Sequence, residues 1–363
     1  MLSIGQVRLP SALVLAPMAG ISDMPFRLIN RSFWRGLAFT EMISANSLVH
    51  GSKKTLKMLS SVADDRPLGV QILGGDPETV RRSVDILSGY DFDIMDFNAA
   101  CPANKVVSKG KGAALLKEPG RLQQMLSIVV ERTQVPVTVK LRTGWDETSV
   151  NAVESALRAR DAGVKAIFMH GRTRAQRYSG TVDYSIIRKV KESVEIPIIA
   201  SGDALTPVLI SKMFEETGCD GVAVARGALG NPWIFRMTAE HLGGKAAPIC
   251  PDVREITQTM KEHLALNVAF HGQKAGVMIF RKFFSWYTKG MALKGLKGRA
   301  FGAVTWDEML RLIEEVQVLT TGGECCIPSK HGTRFSEIAA LEKKYSGLLK
   351  CGIVCERGGE DDV

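Results

Sequence analysis

The chain has 363 residues, 45% of them hydrophobic and 23% charged, which is enough apolar side chain for a sizeable core and unlike a disordered protein. No apolar run approaches the ~20 residues that cross a bilayer, and Met1–Pro10 lacks the charged start and apolar centre of a signal peptide, so a cytoplasmic location without a membrane partner is expected. The formal charge of +9 favours a polyanionic partner, and seven unevenly spread cysteines argue against a disulfide framework.

Short β-rich apolar runs recur about every thirty residues, the length of a strand-plus-helix unit. In chain order they are Leu13–Pro17, Leu37–Met42, Leu68–Leu73, Phe92–Asn98, Val137–Leu141, Ala166–His170, Ile196–Ala200 and Gly221–Ala225. Eight such units predict an α/β protein built as a (β/α)8 TIM barrel; a doubly wound open sheet is the runner-up and needs no eighth strand. Asp76-Pro77 and Thr206-Pro207 predict capped helix starts, and Asp161-Ala162-Gly163 and Thr217-Gly218 predict helix ends. From about Pro251 the strand signal stops, and Val253–Phe270, Gln273–Lys289 and Trp306–Leu319 read as helices. The expected organisation is a catalytic barrel over 1–245, a small helical domain over 250–320, and a divergent tail over 321–363. That tail carries Cys325, Cys326, Cys351 and Cys355, whose spacing fits no common zinc template, so no metal site is expected. The stretch Lys274–Arg299 holds seven Lys or Arg and no Asp or Glu. It reads either as a solvated helix face or as a polyanion-binding one.

In a barrel of this kind the site forms at the C-terminal ends of the strands, and the unusual polar residues gather there. Pro17-Met18-Ala19 ends the first strand, Gln71 lies in the third, and Asn98 with Cys101 ends the fourth. Lys140 and Arg142 end the fifth, His170 and Arg172 the sixth, Ser201-Gly202-Asp203 the seventh, and Ala225-Arg226 the eighth. The last two loops combine Gly-exposed backbone N–H groups with a guanidinium, as a phosphate site requires, although an ordinary Gly-rich loop has the same composition. Lys140 is either a working cation or the partner of an acid such as Asp96. Gln71 and His170 read either as site residues or as satisfied core residues. Cys101 follows a strand end and precedes Pro102 in a loop rich in Gly and Lys. A thiol in that position can act as an acid.

Taken together, Leu15-Ala16-Pro17-Met18-Ala19-Gly20-Ile21-Ser22-Asp23, Asn98-Ala99-Ala100-Cys101-Pro102-Ala103-Asn104-Lys105-Val106, Lys140-Leu141-Arg142-Thr143-Gly144-Trp145 and His170-Gly171-Arg172-Thr173-Arg174 resemble the tRNA-dihydrouridine synthases, most closely the bacterial B-type branch. The resemblance runs from about Leu13 to Gly290. It implies a bound FMN, reduced by NADPH, and reduction of a D-loop uridine in tRNA, with Cys101 as the proton donor to C5 of the uracil. It further implies flavin-ring contacts from Pro17, Met18, Ala19, Gln71 and Lys140. Ser201, Gly202, Asp203, Ala225 and Arg226 would surround the phosphate, with His170 in the same shell. Asn98, Lys105, Arg142 and Arg172 are implied on the substrate side, and Arg281 and Lys282 on an RNA-binding helical segment. No obligate protein partner is implied. The chain departs from the family at Ala100, usually Gly, and at Ser201, usually Asn. Two rivals stay open: a small-molecule flavin oxidoreductase of the dihydroorotate or ene-reductase kind, and a non-catalytic tRNA-binding protein.

Overall fold

Each apolar run becomes a strand, and the eight close on themselves. In the computed structural model, which describes residues 2–245, 249–293 and 295–320, they are β1 (Leu13–Leu15), β2 (Ala38–Ser44), β3 (Leu68–Leu73), β4 (Ile94–Asn98), β5 (Val137–Arg142), β6 (Ala166–His170), β7 (Ile198–Ser201) and β8 (Gly221–Val224). All pair in parallel in sequence order, and β8 returns to β1 through Val222 opposite Leu13. The open-sheet alternative is thereby excluded. Every residue of β3, β4, β6, β7 and β8 is buried, because barrel side chains face either the interior or the surrounding helices. The C-terminal cysteines Cys325, Cys326, Cys351 and Cys355 lie outside the described residues.

The helices start and stop where the local chemistry dictates. Asp76 caps α2 (Pro77–Leu87) by accepting from the Thr79 N–H, and Thr206 caps α6 (Pro207–Thr217) by accepting from the Leu209 N–H; both helices open on Pro, whose missing N–H is not needed there. Gly218 then ends α6 in a left-handed conformation, φ 65°. Between these two run α3 (Pro119–Arg132), α4 (Ala152–Asp161) and α5 (Tyr184–Ser193). An element not anticipated from sequence precedes β1: an antiparallel hairpin of Ser3–Ile4 with Val7–Arg8. Its Leu2, Ile4 and Leu9 are buried in one cluster with Val14, Leu37, Ile94, Ala166, Ile199 and Ala223, and so plug the N-terminal end of the barrel.

The chain divides into two compact units; among the described residues one comprises 2–23 and 35–227, the other 24–34 and 228–320. The second unit is helical: α1 (Met24–Arg31), α7 (Ile234–Leu242), α8 (Val253–His271), α9 (Gln273–Tyr287), α10 (Leu296–Gly302) and α11 (Trp306–Thr320). Aromatic packing joins its pieces: Phe26 of α1 stacks on Phe283 of α9 with centroids 5.7 Å apart, and Trp34 stacks on Phe235 of α7 at 4.3 Å. Gly230 permits a close approach, since a Cβ there would stand 2.3 Å from the Trp286 carbonyl carbon. No helix among the described residues is long and apolar enough to cross a membrane.

Candidate active site

Strand register places the polar residues in rows across the barrel. Gln71 of β3 lies opposite Asp96 of β4, which lies opposite Thr138 of β5. One step towards the mouth, Asn98 is opposite Lys140; beyond it, Arg142 faces His170, and His170 faces Ser201. These residues therefore meet because parallel strands in this register put them at one level, not because they are near in sequence.

The loop bearing Cys101 is fixed through its backbone. The Asn98 side-chain oxygen accepts from the N–H groups of Ala100 (3.1 Å) and Cys101 (2.9 Å). The Ala100 carbonyl, the other end of the same peptide unit, accepts from Arg142 Nε at 2.7 Å. The Cys101 carbonyl accepts from the Ala113 N–H at 3.1 Å. Gly112 makes that approach possible: its φ is 59°, and a Cβ would lie 2.9 Å from the Cys101 oxygen. Cys101 itself is half-buried.

Arg142 and Arg172 are both buried and both committed to the protein. Arg142 Nη1 donates to the carbonyls of Thr173 (2.9 Å) and Arg177 (2.8 Å), so its guanidinium ties the β4 loop to the β6 loop. Burial pushes its pKa down to about 10, which still leaves it charged at neutral pH. Arg172 donates to the carbonyls of Ser179 and Gly180 and pairs with Asp203, which also takes Arg226 Nη2 at 2.7 Å. Asp203 holds a left-handed backbone, φ 51°, an uncommon state that its two arginine partners over-determine. Its carboxylate orients the exposed guanidinium of Arg226 instead of facing an anion directly.

Lys140 Nζ donates to Ser201 Oγ at 3.0 Å, and Ser201 in turn donates to the Met169 carbonyl at 3.3 Å. The shorter Ser201 side chain is thus fully used. Burial pushes the Lys140 pKa down, with Asp96 opposing the shift, and pushes that of Asp96 up, opposed by hydrogen bonds from Thr138 and Gln71 and by Lys140. Of the two readings of Lys140, Asp96 is the nearby counter-charge but Ser201 is the direct partner. His170 is buried and stays neutral, because desolvation first, then the charges of Arg142, Lys140, Arg172 and Arg226, hold its pKa far below the usual value.

The residues fit a phosphate-bearing group. His170 Nε2 is buried with no hydrogen-bond partner, and Gly202, at φ 118°, leaves the space beside it open: a Cβ there would lie 3.2 Å from that nitrogen. The charges of Arg142, Lys140, Arg172 and Arg226 all act on His170, with Asp203 pairing Arg172 and Arg226 and Asp96 beside Lys140, so the local charge is net positive and suits an anion. Pro17 follows β1 and leads into a turn from Met18 to Ser22 that includes Ala19, in which the Met18 N–H donates to Ser22 Oγ (2.9 Å) and the Gly20 N–H to the Glu41 carboxylate. Ala225 is half-buried, and Lys105 is exposed on the short helix Asn104–Val107.

The structure thus gathers Gln71, Asn98, Cys101, Lys140, Arg142, His170, Arg172, Ser201, Gly202, Asp203 and Arg226 at the C-terminal ends of the strands, where Gln71, Asn98 and Arg142 tie to the Cys101 loop, Lys140 to Ser201, and Arg172 and Arg226 to Asp203. Arg281 and Lys282 belong to the helical unit; Arg281 Nε donates to the Ala303 carbonyl at 2.7 Å, and the Lys282 ammonium sits 4.9 Å from the Phe283 ring centroid. Three residues escaped sequence reading. Glu41 lies at an irregularity in β2, Thr138 is an ordinary strand residue, and Tyr178 is an exposed aromatic with the Arg226 and Arg142 guanidinium carbons 5.4 and 5.6 Å from its ring centroid. Only Tyr178 had a visible signal, as a lone aromatic in a strand-end loop.

The family model of dihydrouridine synthases matches residues 14–317. The chain is 41% identical to tRNA-dihydrouridine synthase B of Pseudomonas aeruginosa over 78% of its own length and 86% of that protein, and 37% identical to the B-type synthase of Pasteurella multocida over 83% and 91%. Among solved structures it resembles 6-hydroxypseudooxynicotine amine oxidase of Pseudomonas geniculata, with a TM-score of 0.53 at 14% identity over 71% of this chain and 52% of that one, a likeness of fold alone. The chain belongs to the dihydrouridine synthase family.

Proposed function

We propose that this protein is a tRNA-dihydrouridine synthase that reduces the C5–C6 double bond of a D-loop uridine, with FMN as its bound flavin and NADPH as reductant. The observation that carries the reading is the pinned Ala100–Cys101 peptide unit at the same barrel mouth as an open, cation-lined phosphate cradle. FMN held there would supply the hydride that goes to C6. Gly202, Arg226 and His170 would hold its phosphate, and Pro17, Met18, Ala19, Gln71 and Lys140 its ring.

The protein's own contribution is positional and acid–base. Hydride addition at C6 leaves an enolate-like charge on the pyrimidine, which is quenched when the Cys101 S–H proton moves to C5. The resulting thiolate recovers its proton from solvent. The half-buried Lys140 would stabilise negative charge on the bound flavin, a preorganised cation of the kind that contributes several kcal/mol at such sites. Asn98 faces the thiol-bearing loop, where Lys105 supplies an exposed charge for the RNA backbone. Arg142 and Arg172 act on substrate by holding the loops that surround it. The basic helices, with Arg281 and Lys282, bind tRNA phosphates in the cytoplasm.

The test is mass spectrometry of tRNA from cells lacking the protein. One D-loop position should carry uridine, lighter than dihydrouridine by one pair of hydrogens. Unchanged tRNA modification with a purified protein that reduces free small molecules would favour the small-molecule reductase. A colourless protein without flavin absorption would favour the RNA-binding reading.

A further inference from the structure

Asp96 has no place in the chemistry above, yet it is a buried acid in the middle of an apolar strand, and burial pushes its pKa up. It is retained there by two hydrogen bonds, Thr138 Oγ1 at 2.6 Å and Gln71 Nε2 at 2.7 Å. The chain of contacts continues. Gln71 Oε1 accepts from Asn98 Nδ2 at 2.9 Å, and the Asn98 oxygen accepts from the Ala100 and Cys101 N–H groups.

Each amide in that series has two ends that differ only in donor or acceptor character, so geometry alone does not say which way it points. An ionised carboxylate removes the ambiguity because it only accepts. Gln71 must present its NH2 to Asp96, so its oxygen faces Asn98. Asn98 must then present its NH2 to Gln71, so its oxygen faces the loop, where only an acceptor satisfies two N–H groups. We propose that Asp96 is a positioning residue that sets the direction of the Gln71–Asn98 hydrogen-bond chain and thereby holds the Cys101 backbone in place for proton delivery.

The kinetic part rests on the uridine-reduction reading; the structural part does not. Asp96→Asn keeps the shape but leaves one acceptor oxygen where the carboxylate has two, so Thr138 and Gln71 can no longer both donate to position 96 and the Gln71–Asn98 chain loses its anchor at that end. Amide exchange over residues 98–106, followed by mass spectrometry in the flavin-loaded protein without tRNA, should accelerate about tenfold, as for a local opening made easier. In steady state with tRNA, kcat should fall about tenfold while KM stays within about twofold, the signature of an interaction made only in the transition state. General loosening of the fold would raise KM and strip the flavin as well. Wild-type exchange together with wild-type kcat in Asp96→Asn overturns the proposal. Should Asp96→Asn not fold, Gln71→Leu breaks the same chain one link later and must show the same faster exchange; wild-type protection in that variant overturns it equally. Faster exchange with no uridine reduction in any variant would leave the positioning role standing and remove the substrate assignment.

Discussion

At the scale of single residues, Cys101 is held entirely through its main chain, with its N–H on Asn98 and its carbonyl on Ala113. Side-chain chemistry can therefore be changed there with little effect on loop geometry. Cys101→Ser replaces the thiol by a far weaker acid, and Cys101→Ala removes the proton altogether. We expect uridine reduction to fall about 10²–10⁴-fold, with Ala at the low end, while reduction of the bound flavin by NADPH is unaffected. Single-turnover absorbance of the flavin separates the two steps. His170 gives a pH prediction of opposite character. Its folded pKa is depressed, so the unfolded chain takes up a proton first as pH falls through the ordinary value of about 6.5, and stability decreases with acidity. By pH 5 this amounts to about 2 kcal/mol. Urea denaturation of the flavin-free protein should show that slope, and His170→Asn should flatten it.

At the scale of elements, the strand ends were legible because a sheet buried on both faces is written as unbroken apolar runs, and a polar residue at the end of such a run has only the mouth to face. Lys140 and His170 were visible for that reason. Their partners were not, because register is a property of neighbouring strands: nothing in β5 alone says that Lys140 meets Ser201 or that Thr138 meets Asp96. The N-terminal hairpin was invisible because two-residue strands carry no periodicity, and α10 because Gly298 interrupts its pattern. Likewise, nothing in Met24–Arg31 alone says that Phe26 meets Phe283. The hairpin nonetheless matters for stability. Ile4 is fully buried at the closed end of the barrel, and Ile4→Ala should destabilise the protein by about 2–4 kcal/mol through lost burial and the cavity left behind. Because Ile4 lies far along the strands from Cys101, kcat at low temperature should be unchanged; thermal denaturation and steady-state kinetics check the two halves of this statement.

At the scale of the whole molecule, the net charge of +9 and the run from Lys274 to Arg299 acquire a use once the substrate is a folded RNA. A uracil inside such an RNA must leave its stack to be reduced, at a cost of a few kcal/mol, and phosphate contacts can offset that cost without reading sequence. Not all of the basic residues make clean probes of this. Arg299 is paired with Glu315 by two hydrogen bonds, and Arg281 is turned onto the Ala303 carbonyl, so their truncation would disturb the helical unit itself. Lys274 and Lys289 are exposed on the same helix and its end, and are the cleaner probes. Each phosphate contact should make tRNA binding roughly threefold weaker for every fourfold rise in salt, because one condensed counterion is no longer released. Lys274→Gln and Lys289→Gln should each lower the slope of log affinity against log salt by about 1, equally for different tRNAs, while leaving single-turnover reduction of saturating tRNA unchanged. A flat salt response in wild-type binding would remove the phosphate contacts from the account and leave the barrel mouth as the sole RNA-reading surface.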